Sequence, residues 1–169
     1  MSVYNILIVD DKSGVVTTYK GQLNQLDNFQ IHTAASRVEA YEILKGFRKK
    51  GDQYICDKGD VLALAILDQN LEDQDYDDEL FDPDWSLAGG LTLIQEIKLL
   101  FLPTRVVVLT AYQGTEDDMA FEAAQMKADS YLQKGNVEGE HFKAMIREQL
   151  QAFDDAFANH LKKSNATNA

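Results

Sequence analysis

The amino-acid sequence predicts an α/β fold in which helices cover both faces of a five-stranded parallel sheet. Short apolar runs alternate along the chain with longer segments whose apolar residues recur at helical spacing. The short runs are continuously apolar, which is typical of strands buried on both faces of a parallel sheet. Because crossovers between parallel strands are right-handed, these elements predict a doubly wound, open sheet.

Five short runs rich in aliphatic and aromatic residues are the predicted strands. In chain order they cover residues 5–9, 29–34, 62–67, 105–111 and 130–133. β-Branched and aromatic side chains fit the pleated surface of a buried strand. The strands therefore alternate with helices in the order βαβαβαβαβα.

The helices between the strands are predicted from apolar faces and from end signals. The first helix has one apolar face, formed by Val16, Tyr19, Leu23 and Leu26. The second helix opens with Ser36 and Glu39, the spacing of a capping box. The next two helices are predicted at residues 90–101 and 115–126.

The C-terminal segment predicts a helix from residue 139 to residue 162, which would be about 36 Å long. Its apolar stripe consists of Phe142, Ile146, Leu150, Phe153, Phe157 and Leu161. We expect residues 1–150 to form the domain, and residues 151–169 to extend the last helix into a polar tail. One short sheet does not require so long a helix, so we expect residues 153–161 to pack on another helix, in a homodimer or an output domain.

The negative charge of the chain is concentrated in one segment. The net charge is −12, and eight acids without a Lys or Arg lie within residues 72–84, which leaves about −4 for the rest. Since no basic face is visible, direct binding to nucleic acid is excluded from the expected functions.

The sequence predicts a cytoplasmic protein that makes no contact with a membrane. No apolar run approaches the roughly 18 residues of a membrane span. The N-terminus lacks the basic region and the cleavage site of a signal peptide. Cys56 is the only cysteine and forms no intrachain disulfide, which suits a reducing compartment.

Polar residues stand where the predicted strands end. In chain order they are Asp10 and Asp11 after the first strand, Asp68 and Asn70 after the third, Thr110 at the end of the fourth, and Lys134 after the fifth. The carboxyl ends of parallel strands meet at one edge of a sheet, where ligands bind. We therefore expect three carboxylates, a hydroxyl and an amine to lie together.

The chemistry of this set favours a divalent cation and phosphoryl transfer. Three carboxylates in close contact repel one another unless a positive charge lies among them. Mg²⁺ prefers oxygen ligands of this kind. A carboxylate beside the cation can then act as a nucleophile and accept a phosphoryl group as an acyl phosphate. The transfer needs neutralisation of the phosphoryl oxygens, which Mg²⁺, Lys134 and Thr110 would supply.

Four motifs, "ILIVDD", "AILDQN", "VVVLTA" and "DSYLQKG", occur in this order and each at a predicted strand end. Together they resemble the receiver domain of two-component response regulators, over about residues 4–150. The resemblance implies a flavodoxin-like, chemotaxis-regulator-like fold with strand order 2-1-3-4-5, to which this chain adds an extended C-terminal helix. It also implies a signalling switch rather than a turnover enzyme.

The resemblance assigns the phosphoacceptor and the metal ligands. Asp68 corresponds to the residue that accepts a phosphoryl group from a histidine kinase or a histidine phosphotransfer protein. Asp11 corresponds to the direct Mg²⁺ ligand, and Asp10 to its partner, which usually acts through water. Asp68 and the backbone carbonyl of Asn70 would complete the metal site.

The resemblance also assigns the residues that switch a partner-binding face. Thr110 corresponds to the hydroxyl that moves to the phosphoryl group, and Lys134 to its basic partner. Tyr131 corresponds to the aromatic residue whose ring turns inward when the threonine moves. Each has a simpler alternative, in which Thr110 is only a β-branched strand residue, Lys134 only a solvated lysine and Tyr131 only an aromatic ring packed on a helix.

Two features depart from the family pattern. Gly135 stands where many receivers have a proline, which is often cis. An acidic insertion at residues 72–88 follows the phosphoacceptor strand. It is interpreted as a solvated loop, as an element that selects kinases, or as a second cation site. Its acids fall at calcium-loop positions, but Asp78 replaces the glycine that such a loop needs.

Two other functions compete with the receiver. One is a pseudo-receiver, a protein-binding module that keeps the fold without being phosphorylated. The other is a Mg²⁺-dependent phosphohydrolase of the haloacid-dehalogenase type, which needs an acid two residues after its nucleophile. Asn70 occupies that position here, so this alternative fits poorly.

Overall fold

Five parallel strands form one sheet in the part of the chain that the structure describes. The computed structural model describes residues 3–51, 58–69, 71, 89–100, 103–111, 124, 127–135 and 139–167. The strands are β1 (Tyr4–Val9), β2 (Phe29–Ala34), β3 (Leu62–Asp68), β4 (Arg105–Thr110) and β5 (Ser130–Gln133). They lie in the order β2-β1-β3-β4-β5, and each neighbouring pair is parallel. The predicted doubly wound sheet and its strand order are confirmed.

Four helices and one short 3₁₀ helix accompany the described strands, the last of them following β5. They are α1 (Ser13–Leu23), α2 (Arg37–Gly51), the 3₁₀ helix Lys58–Asp60, α3 (Gly89–Leu100) and α4 (Glu140–Thr167). The first helix is shorter than predicted, because the chain turns after Leu23 and the Leu26 N–H donates back to the Leu23 carbonyl. The predicted helix at 115–126, apart from Ala124, lies outside the described residues.

The predicted capping box is present at the start of α2. The Glu39 N–H donates to the Ser36 hydroxyl over 3.1 Å. The Glu39 carboxylate accepts from the Ala35 N–H over 2.8 Å, one residue earlier than the usual reciprocal bond. Two backbone donors that no helical carbonyl reaches are thereby satisfied.

Two apolar cores lie on opposite faces of the sheet. The core that α1 and α4 cover includes Ile6, Ile8, Tyr19, Leu23, Ile66, Leu109 and Phe142. The core that α2 and α3 cover includes Leu7, Val9, Leu44, Leu67, Ile94 and Val108. Alternate residues of the central strands point to opposite faces, so both faces are buried, as the continuous apolar runs predicted.

The C-terminal helix is long, as predicted, but its distal apolar residues pack within the same chain. The helix has 28 residues and is about 42 Å long. Phe153 and Phe157 are 0% and 3% exposed and belong to the core under α1, against which Leu161 also packs. The expectation that 153–161 packs on another helix is therefore wrong for the two phenylalanines. The helix follows the sheet to the opposite edge, where Tyr4 meets the Phe153 ring edge-on at 6.3 Å.

A polar contact fixes α4 at this edge of the sheet. The Tyr4 hydroxyl donates to Asp154 Oδ2 over 2.8 Å, and Lys58 Nζ lies 2.5 Å from Asp154 Oδ1. One carboxylate thus joins β1, the 3₁₀ helix and α4. Burial, the hydrogen bond to Asp154 and the charge of Asp154 raise the pKa of Tyr4 to about 12.

No helix within the described ranges is long and apolar enough to cross a membrane.

We expect Phe153→Ala to lower the free energy of unfolding by about 3–5 kcal/mol, because it leaves a cavity in a closed core. Urea unfolding measures the loss, and the exposed Asn159→Ala is the matched control on the same helix. The loss should be the same at low and high protein concentration. A loss that appears only at high concentration would mean that this face packs on a second copy.

We expect the stability of the chain to fall between about pH 10 and 12, partly through Tyr4. In the unfolded chain a tyrosine loses its proton near pH 10, whereas the folded chain holds the proton of Tyr4 to about pH 12. Its contribution is therefore complete below pH 10 and disappears as the pH rises through 12. Unfolding of Tyr4→Phe by urea should depend less steeply on pH in this window. An identical slope for the variant and the wild type would contradict the assignment.

Candidate functional site

Asp10 lies at the floor of the site, directly after the central strand β1. Its side chain is fully buried, and its N–H extends the ladder to β2 by donating to the Ala34 carbonyl over 3.2 Å. The Lys12 N–H donates to Asp10 Oδ1 over 2.9 Å. This local bond turns the chain from β1 toward α1 and fixes the orientation of the carboxylate.

Asp68 lies beside it at the end of β3. The residue is 3% exposed and pairs in register with Leu109 of β4. The Gln69 N–H donates to the Leu109 carbonyl over 2.9 Å, which holds the chain beyond the strand. Carboxylate oxygens of Asp10, Asp11 and Asp68 all lie within 4.8 Å of one another. The three acids predicted to converge are therefore brought together.

Lys134 bridges two of these acids. Its Nζ lies 2.7 Å from Asp68 Oδ2 and 2.8 Å from Asp10 Oδ2, and its side chain is 14% exposed. Burial of the ammonium acts to lower the pKa of Lys134, but the hydrogen bonds to Asp10 and Asp68 and the charges of these acids outweigh it. The pKa of Lys134 is consequently raised above its ordinary value. The charged form of the amine is held at the bottom of the site.

Lys134 is positioned by the strand next to it. Its backbone N–H donates to the Thr110 carbonyl over 2.7 Å. Thr110 ends β4, is 4% exposed and pairs in register with Gln133. Tyr131 is half-buried and pairs with Val108 further down β5. The predicted hydroxyl and amine therefore share the edge of the sheet on which Asp68 lies.

The acid cluster has too little positive charge of its own. Three carboxylates against the one ammonium of Lys134 leave an excess of two negative charges. Oδ1 of Asp11 is buried and accepts a hydrogen bond from none of the described residues. A buried acceptor without a partner is costly, and a hard cation satisfies it. The cluster therefore fits a divalent cation such as Mg²⁺, while the predicted fourth ligand, Asn70, lies outside the described residues.

The turn after β5 contains Gly135 in a left-handed conformation, with φ at +98°. A side chain at this position would meet no heavy atom within 4 Å. The glycine is therefore required by its backbone conformation rather than by space. Proline, whose φ is fixed near −65°, does not fit this turn.

One residue near the acids was not predicted as part of the site. Tyr19 was interpreted only as part of the apolar face of the first helix, and it is indeed 2% exposed. Burial and the charges of Asp10 and Asp68 raise the pKa of its hydroxyl above the ordinary value. A tyrosine on the core face of the helix that follows two acids was the available signal.

The acidic segment 72–88 lies outside the described residues. None of the three interpretations of it is therefore tested by the geometry of the site. Among the described residues, Asp10, Asp11 and Asp68 are the group of acids close enough to hold a metal ion.

Comparison with solved structures finds receiver domains with the same fold. A CheY-like response regulator receiver domain protein from Methanospirillum hungatei JF-1 is 21% identical, with a TM-score of 0.61 over 92% of this chain and 99% of its own. The signal receiver domain of an HD domain-containing protein from Pseudomonas fluorescens Pf-5 is 17% identical, with a TM-score of 0.65 over 94% of each chain. The response regulator TrrA from Thermotoga maritima, in complex with Mg²⁺ and BeF, is 23% identical, with a TM-score of 0.57 over 88% of this chain and 100% of its own.

No protein-family model and no curated protein matches the sequence. The similarity to the solved structures nevertheless covers nearly the whole length of both chains. It agrees with the five-stranded parallel sheet of order β2-β1-β3-β4-β5. The chain therefore has the fold of CheY-like response regulator receiver domains.

Proposed function

We propose that the chain is the phosphoacceptor receiver of a two-component or phosphorelay system. The observation that carries the proposal is the bridge of Lys134 between Asp10 and Asp68 at the strand ends of a receiver fold. A phosphohistidine of a histidine kinase, or of a histidine phosphotransfer protein, would be the donor. Asp68 would be the acceptor.

The transfer is an in-line displacement at phosphorus. A carboxylate oxygen of Asp68 forms the new P–O bond, and the P–N bond of the phosphohistidine breaks. The leaving imidazole nitrogen takes the electron pair and is protonated from water. The chain contributes mainly charge and position, because phosphoryl transfer needs little other help from a protein.

Two side chains of this chain and a bound Mg²⁺ would stabilise the transferred phosphoryl group. The Lys134 ammonium, now shared by Asp10 and Asp68, would contact a phosphoryl oxygen, and the Thr110 hydroxyl would donate to another. Mg²⁺, held by Asp10, Asp11, Asp68 and the Asn70 carbonyl, would neutralise phosphoryl charge when bound. Asp11, with its buried oxygen Oδ1, would be a direct ligand.

The signal ends when water attacks the acyl phosphate. The O–P bond to Asp68 breaks, inorganic phosphate leaves and the carboxylate is regenerated. The chain would thus promote its own phosphorylation and dephosphorylation as a switch, without acting as a turnover enzyme on an external substrate.

Phosphorylation would act on β4 and β5 together. The phosphoryl group adds a charge of about −1.5 to −2, which attracts the Lys134 ammonium. The backbone of Lys134 is bonded to the Thr110 carbonyl, so the ends of the two strands respond as one unit. Tyr131, half-buried on β5, would change its contacts as Thr110 moves.

The changed face would be read by another protein. One receiver with the same fold belongs to an HD domain-containing protein, and we propose an output domain or a separate effector as the partner here. A homodimer through the exposed face of α4 is the alternative partner. The single Cys56 and the proposed kinase partner agree with a cytoplasmic location.

We expect acetyl phosphate with Mg²⁺ to add the mass of one phosphoryl group to the wild-type chain and none to Asp68→Asn. The amide keeps the shape of the side chain and removes the nucleophile. Intact-mass spectrometry measures the modification. The matched control is Asp129→Asn, an acid outside the cluster that pairs with Arg105. Modification that survives in Asp68→Asn would contradict the proposal. An unmodified wild-type chain would contradict it as well and would leave the pseudo-receiver as the function.

We expect Gly135→Ala to destabilise the chain by about 1–2 kcal/mol, because an L-residue is strained at positive φ. Gly135→Pro should cost more and should also slow phosphorylation, since it displaces the adjacent Lys134. Urea unfolding and the mass assay measure the two effects. Exposed Gly14, in α1, is the control position, where Gly14→Ala should be neutral or stabilising. Wild-type behaviour of Gly135→Pro would show that this turn does not position the lysine.

A further inference from the structure

A cleft of about 450 Å³ lies between the middle of α4 and the turn that joins α1 to β2. It is at the end of the sheet opposite the acid cluster, since Tyr4 at the start of β1 is part of its lining. Its volume is within the range of small-molecule sites. The wall that α4 contributes consists of residues at helical spacing, Arg147, Leu150, Gln151 and Asp154.

The turn before β2 forms the second wall, and backbone bonds hold it in place. The Leu26 N–H donates to the Leu23 carbonyl over 2.9 Å, and the Tyr4 N–H donates to the Asn28 carbonyl over 2.9 Å. Asn28 has a left-handed φ of +70°, which asparagine tolerates better than most residues. The lining residues of this wall are Gln25, Leu26, Asp27 and Phe29.

The cleft contains an apolar surface. The rings of Tyr4 and Phe29 lie 6.0 Å apart and are tilted by 37°. Both residues are half-buried, as is Leu26, and Leu150 is 6% exposed. An apolar group that covered this surface would remove it from water, which is favourable. The cleft therefore fits a ligand with an apolar or aromatic body.

Two opposite charges flank this apolar surface without neutralising each other. The Arg147 side chain is 60% exposed, and among the described residues its ion pair is with Glu140 Oε2, at a long 3.9 Å. Asp27, on the other wall, takes part in none of the ion pairs between described residues. One guanidinium and one carboxylate thus remain for a ligand.

The second carboxylate of the lining already has its partners. Asp154 Oδ2 accepts from the Tyr4 hydroxyl over 2.8 Å, and Asp154 Oδ1 lies 2.5 Å from Lys58 Nζ. The charges that remain, those of Arg147 and Asp27, sum to zero. Separated charges of opposite sign complement a ligand that carries both signs and has no net charge.

We propose that this cleft binds a small zwitterion with an apolar body, of the class of apolar and aromatic α-amino acids. The carboxylate of the ligand lies against Arg147, whose planar guanidinium donates two parallel hydrogen bonds to it. The ammonium lies near Asp27, and the apolar body covers the rings of Tyr4 and Phe29. The site is separate from the phosphoacceptor site, and the inference does not depend on the proposed function.

Titration of the full chain with L-phenylalanine, followed by the NMR shifts of the backbone amides, tests the proposal. We expect a dissociation constant of about 1 mM or lower, as small ligands reach in such a cleft. N-Acetyl-L-phenylalanine lacks the ammonium, and L-phenylalaninamide lacks the carboxylate. Each should bind about tenfold more weakly, the usual effect of losing hydrogen bonds between charged groups. Glycine, which lacks the apolar body, should also bind more weakly.

Two variants assign the charges to their residues. Arg147→Gln should weaken binding of L-phenylalanine about tenfold and leave that of L-phenylalaninamide unchanged. Asp27→Asn should weaken binding of L-phenylalanine and spare the N-acetyl compound. Both residues are exposed, so the fold is kept, and the amide spectrum verifies this. The matched control is Glu148→Gln, an exposed neighbour of Arg147 outside the lining, which should bind like the wild type.

The inference is overturned if the wild type does not bind L-phenylalanine. Equal affinities for L-phenylalanine and its two derivatives would overturn it too, because the charges would then not be recognised. Wild-type affinity of Arg147→Gln would have the same consequence. None of these outcomes affects the proposed phosphorylation of Asp68, which the mass assay measures separately.

Discussion

The structure depends on keeping like charges together at one edge of a parallel sheet. Asp10 and Asp68 end neighbouring strands and are almost completely buried, so their mutual repulsion is poorly screened. The ammonium of Lys134 lies between them, 2.8 Å and 2.7 Å from their oxygens. This contact stabilises the unloaded site, and it is the contact that a phosphoryl group and a cation would rearrange. Stability and the proposed signalling therefore use the same charges.

The rest of the fold holds these charges in place. Apolar cores cover both faces of the sheet, and β1, which Asp10 directly follows, lies between β2 and β3. At the far edge the contact of Tyr4 and Lys58 with Asp154 joins α4 to the sheet. The site is thus built at strand ends whose positions are determined by many backbone bonds, and Lys134 lies in the turn after β5.

Much of this arrangement can be predicted from the sequence, because it follows from the spacing of apolar residues and from the topology of a parallel sheet. Continuous apolar runs indicate strands buried on both faces, and parallel strands bring Asp10, Asp68 and Thr110 to one edge whatever the details of packing. The capping box of Ser36 and Glu39 is local in sequence and was predicted for that reason.

In contrast, an apolar stripe shows that a helix face is covered without showing what covers it. For this reason Phe153 and Phe157 were assigned to a partner, although they lie in the core of this chain. The place of Tyr19 depends on how α1 leans on the sheet and on contact with Phe142, and the sequence indicates it only weakly, through a tyrosine on the core face of the helix that follows two acids.

The central claim is that the acids and Lys134 exchange partners when the site is loaded. A crystal structure of the chain grown with Mg²⁺ and beryllofluoride tests it most directly. The account predicts beryllium bonded to an oxygen of Asp68, a magnesium ion on Asp11, and Lys134 Nζ moved from Asp10 to a fluoride. A structure in which Lys134 still joins Asp10 to an unmodified Asp68, with no ion on Asp11, would contradict the account.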